Sequence, residues 1–440
     1  MFSISEKANR NYLAKVIEVK NLRKHNNADK LQIFTVDGNN VITGLDAKEG
    51  DIGIYFPLEC AIAPEFLSAT NSFREPDRNN NQAAKGFFEY HGRVKAIKLR
   101  GEKSEGYYVP FDTDIQVVLN LEMTDNGREF IGTEFDTVND LLLVKKYIPK
   151  GERPQREPGT GKEKHKRESS LIEGQFRLHD DTSQLGKNMH RINPTDDITI
   201  SYKLHGTSFV SSNILCKRKL SWGEKVAKWF GVKVQEEEYR NIYSSRKVVK
   251  NDTLNKVQNH YYSYDLWSEI NDIYKDTLPK GITVYGEAVG FTKDGAYIQK
   301  GYDYSCSPTS EDRRMLTYLY RITYTNVDGK VFEFSYSQIA DFCAKYGFRV
   351  VPLLFKGKAK DLFPINLEHH WQDNFLSKLK EHYLEKNCWL CSAKVPLEGI
   401  VLRKEGLEIE AFKLKSFNFL ERESKELDKG EADLETQESE

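Results

Sequence analysis

The sequence predicts an α+β protein: a small β-barrel or sandwich at the N-terminus, then a linker, then a larger domain that mixes strands and helices. Three observations predict it. Residues 1–148 alternate short apolar runs with turn residues, as where "KLQIFTV" is followed by "DGNN". The stretch "PKGERPQREPGTGKEKHKRES", residues 149–169, replaces apolar periodicity with prolines, glycines and charges. Beyond it, helical stretches such as "FSYSQIADFCAKYG" and "WQDNFLSKLKEHYLEK" lie between strand runs. The expected division is 1–148, a linker over 149–172, a main domain over 173–420 and an acidic tail over 421–440, within the two or three domains that 440 residues allow.

Composition excludes several classes. A hydrophobic share of 39% and a charged share of 30% are those of a globular chain, and no apolar run approaches the ~18 residues of a membrane span. The opening "MFSISEKANRNYLAKVIEV" lacks a basic region followed by an apolar core, so a cytoplasmic protein is expected. Six scattered cysteines fit reduced thiols, and "CWLC" lacks a second pair to complete a zinc site. Net charge is −1, but the last twenty residues carry nine acids and three bases, which leaves the body near +5. The tail reads as solvated and without chemistry.

In the N-terminal region, "YLAKVIEVKNL", "VITGL", "DIGIYFPLECAI", "RVKAIKLRG" and "EGYYVPF" read as strands. The pieces "HNNADKLQIFTVDG" and "VKAIKLRGEKSEGYYVPF" resemble the OB-type modules of tRNA-binding proteins. Arg93, Lys95, Lys98, Arg100 and Lys103 crowd one hairpin there, a charge pattern suited to phosphate contacts or simply to a solvated strand face. In the linker, "GTGK" is no phosphate loop: Arg156 stands where the first glycine is needed and Glu163 where Ser or Thr is needed.

The chemistry lies in four later stretches. In "ITISYKLHGTS", Ile198, Ile200 and Tyr202 alternate with Thr199, Ser201 and Lys203, so a strand puts the lysine on the face opposite the apolar set, and Gly206 permits a turn. "GITVYGEAVG" carries Glu287 into a glycine turn, and "VPLEGIVLRK" carries Glu398 just before an apolar run. In "IEAFKLKSF", Lys413 and Lys415 share one face while Phe412 and Leu414 share the other.

In this order, "KLHGTS", "YGEAVG", "EGIVLRK" and "FKLKS" resemble the signature of the covalent nucleotidyltransferases, the superfamily of polynucleotide ligases and capping enzymes. Histidine in the third place of the first motif resembles the RNA ligase 2-like enzymes. The whole layout, with "FRLHDDTSQLGKN" leading into that motif, resembles the Deinococcus-type RNA ligases. The resemblance implies an OB-like N-terminal β-barrel followed by an adenylyltransferase domain, an ATP-grasp-like antiparallel-sheet ligase fold. It implies an ATP-dependent RNA ligase that seals 3′-hydroxyl and 5′-phosphate ends of nicked duplexes or structured RNA such as tRNA, RNA in hybrids with DNA included.

By that resemblance, Lys203 attacks the α-phosphorus of ATP to form a lysyl-AMP. Lys413 and Lys415 disfavour its charge and grip phosphate. Glu398 would be the main contact of Mg²⁺ or Mn²⁺, and Glu287 would hold ribose or assist the metal. His205 and Gly206 lie on the AMP phosphate side, Arg246 engages ribose or triphosphate, and Tyr320 or Tyr318 stacks on adenine. Two positions depart from the family pattern: Arg321 follows the aromatic where an aspartate is common, and Tyr202 precedes the lysine where an acid is common. The insertion "KRKLSWGEKVAKWFGVKVQEEEYRN" reads as a helix packed on the domain or a basic-edged lid. Rival readings are a DNA ligase, a GTP-dependent capping enzyme, and a non-catalytic RNA-binding protein.

Overall fold

Two five-stranded sheets build the part of the chain that follows residue 180, and each buries one apolar face under helices. In the first, the order is Ser183–Gln184, Glu410–Lys415, Gly399–Lys404, Asp197–Lys203 and Leu353–Lys358. Its ladders are antiparallel except where Ser183–Gln184 joins Glu410–Lys415. Ile198, Ile200, Ile400, Leu402, Phe412 and Leu414 pack there against Trp371, Phe375, Leu376 and Leu379 of helix Trp371–Tyr383. The second sheet runs Glu237–Ser245, Thr207–Lys217, Ile282–Gly290, Met315–Thr325 and Val331–Glu333, all antiparallel. Helices Leu266–Asp272 and Tyr336–Tyr346 cover it through Leu266, Trp267, Ile270, Ile339 and Cys343.

This computed structural model describes residues 1–121, 125–149, 169–252, 264–367 and 370–429. Most of the expected linker and residues 430–440 of the expected tail lie outside them. Within them no helix is long and apolar enough to cross a membrane. The mixture of helices and mainly antiparallel sheets is the expected α+β class.

The N-terminal region differs from the expected barrel. Its described strands form separate open sheets, the largest with the order Gly106–Pro110, Ile52–Pro57, Ala14–Glu18 and Glu134–Phe135, and no closed barrel appears among the described residues. Nor does this region keep its core to itself. Phe56, Phe66, Val109 and Phe135 belong to the same buried cluster as Leu204, Val289, Tyr302, Phe417 and Phe419. The expected tail also differs, because its first part continues helix Phe417–Asp428. Phe417, Phe419 and Leu420 are buried and hold that helix against the N-terminal region, so its acids meet cations instead of water.

Candidate active site

Between the two sheets lies a cleft of about 340 Å³ that both sheets, the N-terminal region and helix Phe417–Asp428 help to line. Strand register explains how the four motif stretches meet there. Lys203 pairs with Gly399, and Gly399 pairs in turn with Lys415, so the two lysines stand in one row with a residue lacking a side chain between them. Glu398, just before that glycine, reaches Lys203: its Oε1 accepts from Nζ at 2.5 Å. Glu398 is buried, and its other oxygen, Oε2, has no hydrogen-bond partner among the described residues. Such an orphaned buried carboxylate oxygen is costly unless something occupies it, and it suits a hard cation.

The nucleophile loop is held from the second sheet. Ser208 pairs in register with Glu287. The buried Glu287 carboxylate accepts from the Gly206 amide at 3.0 Å through Oε1 and from Ser208 Oγ at 3.1 Å through Oε2. Glycine is required at 206, because a Cβ there would lie 2.2 Å from the Ala288 carbonyl oxygen. The His205 amide donates to Tyr304 Oη at 2.6 Å, and the imidazole meets Tyr302 and Phe419 edge-on at 4.9 and 4.8 Å. Glu287 thus positions the loop after Lys203, while Glu398 presents the open oxygen.

Lys413 and Lys415 both line the cleft, with Phe412 and Leu414 turned into the core behind. Their surroundings are unlike. Burial pushes Lys413 down to about 8, assisted by Lys415 and Lys203 against the pull of Asp181. Burial opposes the charge of Lys415 as well, but Glu423, Glu59 and Glu398 outweigh it and hold the lysine well above its ordinary value. Lys415 Nζ lies 3.2 Å from Glu59 and 3.6 Å from Glu423. Burial raises the Glu59 carboxyl, but Lys415 and its other neighbours draw it below the ordinary range.

Arg246 lies in the cleft and pairs with Asp181. Burial raises Asp181, yet Arg246, Lys413 and Lys146 more than reverse that, so the carboxylate stays ionised. Asn9 also donates to Asp181, at 2.5 Å, and Asn11 donates to the Thr182 carbonyl at 3.1 Å. Tyr320 lines the cleft with the His179 ring 5.1 Å away, whereas Tyr318 is not among the lining residues and packs against the shared core. Next to Tyr320, Arg321 lies over the Tyr285 ring and pairs with Glu333 at 3.0 Å.

Reading the sequence missed Asp181, Glu59 and Glu423. Asp181 had a signal, since it sits in the "FRLHDD" stretch that leads into the nucleophile strand. Glu423 was hidden in a segment read as solvated tail. Glu59 offered only the oddity of an acid inside an apolar run.

Of the basic cluster, Arg93 alone lines the cleft among the described residues. Arg93 is buried and donates to Ser424 Oγ at 2.9 Å. Lys95 bridges Glu89 and Asp428 at 2.8 and 2.7 Å, and Lys98 lies 3.5 Å from Glu421. Arg100 is exposed.

Residues 196–415, half of the chain, match the family described as RNA ligase. No curated protein sequence matches. Among solved structures, the chain is similar to a Naegleria gruberi RNA ligase variant with AMP and Mn, at 14% identity and a TM-score of 0.55, covering 93% of this chain and 98% of that one. A variant of the same ligase with ATP and Mn gives 15% identity and a TM-score of 0.56 over 93% and 98%. Its form with PPi gives 15% and 0.55 over 94% and 99%. These likenesses establish a shared fold.

Proposed function

The chain belongs to the RNA ligase family, and on that premise we propose that it is an ATP-dependent enzyme joining RNA 3′-hydroxyl and 5′-phosphate ends through a lysyl-AMP on Lys203. The observation that carries this reading is the Lys203–Glu398 pair inside a cleft that also holds Lys413, Lys415 and Arg246.

Before it can attack, the Lys203 amine must lose a proton that a free lysine holds up to about pH 10.4. Glu398 Oε1 is the acceptor in contact, and the neighbouring Lys413 charge disfavours the ammonium form. The amine lone pair then forms the N–P bond to the α-phosphorus as the bond to pyrophosphate breaks. Lys413, Lys415 and Arg246 are placed to hold the phosphate charge that grows in that step. An RNA 5′-phosphate next takes the AMP from Lys203, and a 3′-hydroxyl displaces AMP to close the phosphodiester. His205 and Tyr320 line the cleft; His205 with Gly206 is assigned to the phosphate side, and Tyr320 to the adenine ring.

A divalent cation, Mg²⁺ or Mn²⁺, fits the donor set, with Glu398 Oε2 as its open oxygen and Glu287 on the facing strand. When bound, it would neutralise phosphoryl charge. The N-terminal region is proposed as an OB-like RNA-holding module. Of the five cations of its basic cluster, Arg100 is the one offered to RNA, while Arg93, Lys95 and Lys98 act through helix Phe417–Asp428 and Lys103 pairs with Glu385. A cytoplasmic enzyme acting on nicked duplexes, structured RNA such as tRNA, or RNA–DNA hybrids completes the reading.

The test is covalent labelling with α-³²P-ATP and Mg²⁺, followed by denaturing electrophoresis. Wild type should carry label and Lys203→Ala none, and nicked RNA should be sealed in preference to nicked DNA. Label from GTP alone would turn the reading to a capping enzyme. No label from any nucleotide would leave an RNA-binding protein.

A further inference from the structure

The hairpin that starts at the nucleophile loop ends in an element that the cleft chemistry does not use. Strand Thr207–Lys217 leaves the site at Thr207, and its eleven residues, at about 3.3 Å each, carry the chain roughly 33 Å away. Strand Glu237–Ser245 returns it to Arg246. At the far end stands helix Trp222–Trp229.

This helix is well formed but uncovered. A capping box between Ser221 and Glu224 fixes its start, and none of its residues is buried. Trp222, Trp229 and Phe230 are 82%, 80% and 71% exposed, and the Trp229 and Phe230 rings meet edge-on at 4.8 Å. Trp222, Val226 and Trp229 recur at helical spacing, so they share a face. Among the described residues nothing packs over this face, so the reading of this insertion as a helix packed on the domain does not hold there. Apart from the contact between Trp229 and Phe230, these three large rings are left in water among the described residues, which costs free energy.

The charge around those rings is mixed but leans basic. From Lys217 to Val234 there are six basic residues and one acid, Glu224; Glu236 follows, then Glu237 and Glu238 on the returning strand, which makes six bases against four acids from Lys217 to Glu238. Arg218 pairs with Glu224, and Lys228 pairs with Glu236 at 2.6 Å. Lys219, Lys225 and Lys233 are exposed beside the rings. Flat aromatic faces among lysines complement a polyanion that carries stackable bases.

We propose that helix Trp222–Trp229 and the adjoining Phe230 form a docking platform for a single-stranded part of an RNA substrate, with bases on the rings and phosphates on Lys219, Lys225 and Lys233. The proposal rests on the RNA-ligase reading for its substrate class. It adds a contact about 30 Å from the joining chemistry along the hairpin, and so a preference for RNA long enough to span both.

The test uses the full chain carrying Trp222→Ala, Trp229→Ala and Phe230→Ala together, with Lys219→Gln, Lys225→Gln and Lys233→Gln as a second variant. Because no side chain of the helix is buried, both should unfold at the wild-type temperature. Filter binding of a single-stranded RNA of about thirty nucleotides should weaken at least about tenfold in the ring variant, a loss of about 1.4 kcal/mol and within the range of one base stack. The lysine variant should lower the salt dependence of binding, and α-³²P-ATP labelling should be unchanged in both.

Unchanged RNA affinity in both variants would overturn the platform. So would binding of the wild-type helix to vesicles of phosphatidylserine and phosphatidylcholine with no loss of RNA affinity in the variants, which would assign the face to membrane. If the ring variant loses RNA while no nucleotide labels the wild type, the platform stands and the ligase reading falls.

Discussion

Lys413 and Lys415 stand two residues apart on one strand, yet the two flanks of the cleft they face treat their charge in opposite ways. On the Lys413 flank, burial is joined by Lys203 and Lys415, and the ammonium is disfavoured. On the Lys415 flank, Glu59 comes from the N-terminal region and Glu423 from the last helix, and the ammonium is held. Spacing alone makes these lysines equivalent. The contrast teaches that one strand face supplies both a standing cation and a lysine whose charge responds to pH.

The largest effect that tests this contrast is on lysyl-AMP formation. At pH 9, Lys415→Ala should slow labelling by about 10²- to 10³-fold, the usual cost of removing one transition-state charge partner. Lys413→Ala should cost less, since that lysine has largely lost its proton by then. Equal losses at pH 9 would break the contrast.

Stability against pH comes next. Because Lys413 has a folded value of about 8, below that of an unfolded lysine, the folded state binds fewer protons between that value and about 10.4. Its contribution therefore improves as pH rises through that window and is flat below it, by up to about 3 kcal/mol. Denaturant unfolding at pH 7.5 and pH 10 should show a rise in wild type, relative to Lys413→Met, that the variant lacks. Parallel pH profiles would sink the assignment.

A smaller effect should follow Glu59→Gln. It leaves Lys415 with Glu423 and the more distant Glu398 and should cost about 1 to 3 kcal/mol in urea unfolding, toward the low end because Glu59 retains some solvent access. No change would mean that Glu423 suffices. The smallest effect sharpens the other flank: Asp181 raises Lys413, so Asp181→Asn should lower the Lys413 titration by less than about one unit, or about 1 kcal/mol. Its check is the NMR titration of the labelled Lys413 side chain, and a shift upward would contradict it.

Much of the cleft was legible because its parts are local patterns. Alternation placed Lys413 and Lys415 opposite Phe412 and Leu414, and the glycine of "KLHGTS" read as a turn, though the close approach to Ala288 that also requires it was not legible. What escaped were partners supplied from far along the chain. Nothing near Glu59 in the sequence predicts a lysine 356 residues later. The acidic end read as tail because charge dominates its composition, yet Phe417, Phe419 and Leu420 suffice to dock its first part. The hairpin lysines read as an open basic face, but that docking brings acids onto Lys95 and Lys98.

By itself, then, the sequence determined the α+β class, the order of the motif strands and the side of each strand on which a reactive group stands. These depend on short-range periodicity and on residue type, which any window of the chain displays. Only the tertiary structure decided that Glu398 meets Lys203, that Asp181 meets Arg246, that Lys415 keeps its charge while Lys413 is pressed to lose it, and that the rings of helix Trp222–Trp229 stay uncovered. Burial and Coulomb interaction depend on distance through space, and segments hundreds of residues apart set that distance only when they pack.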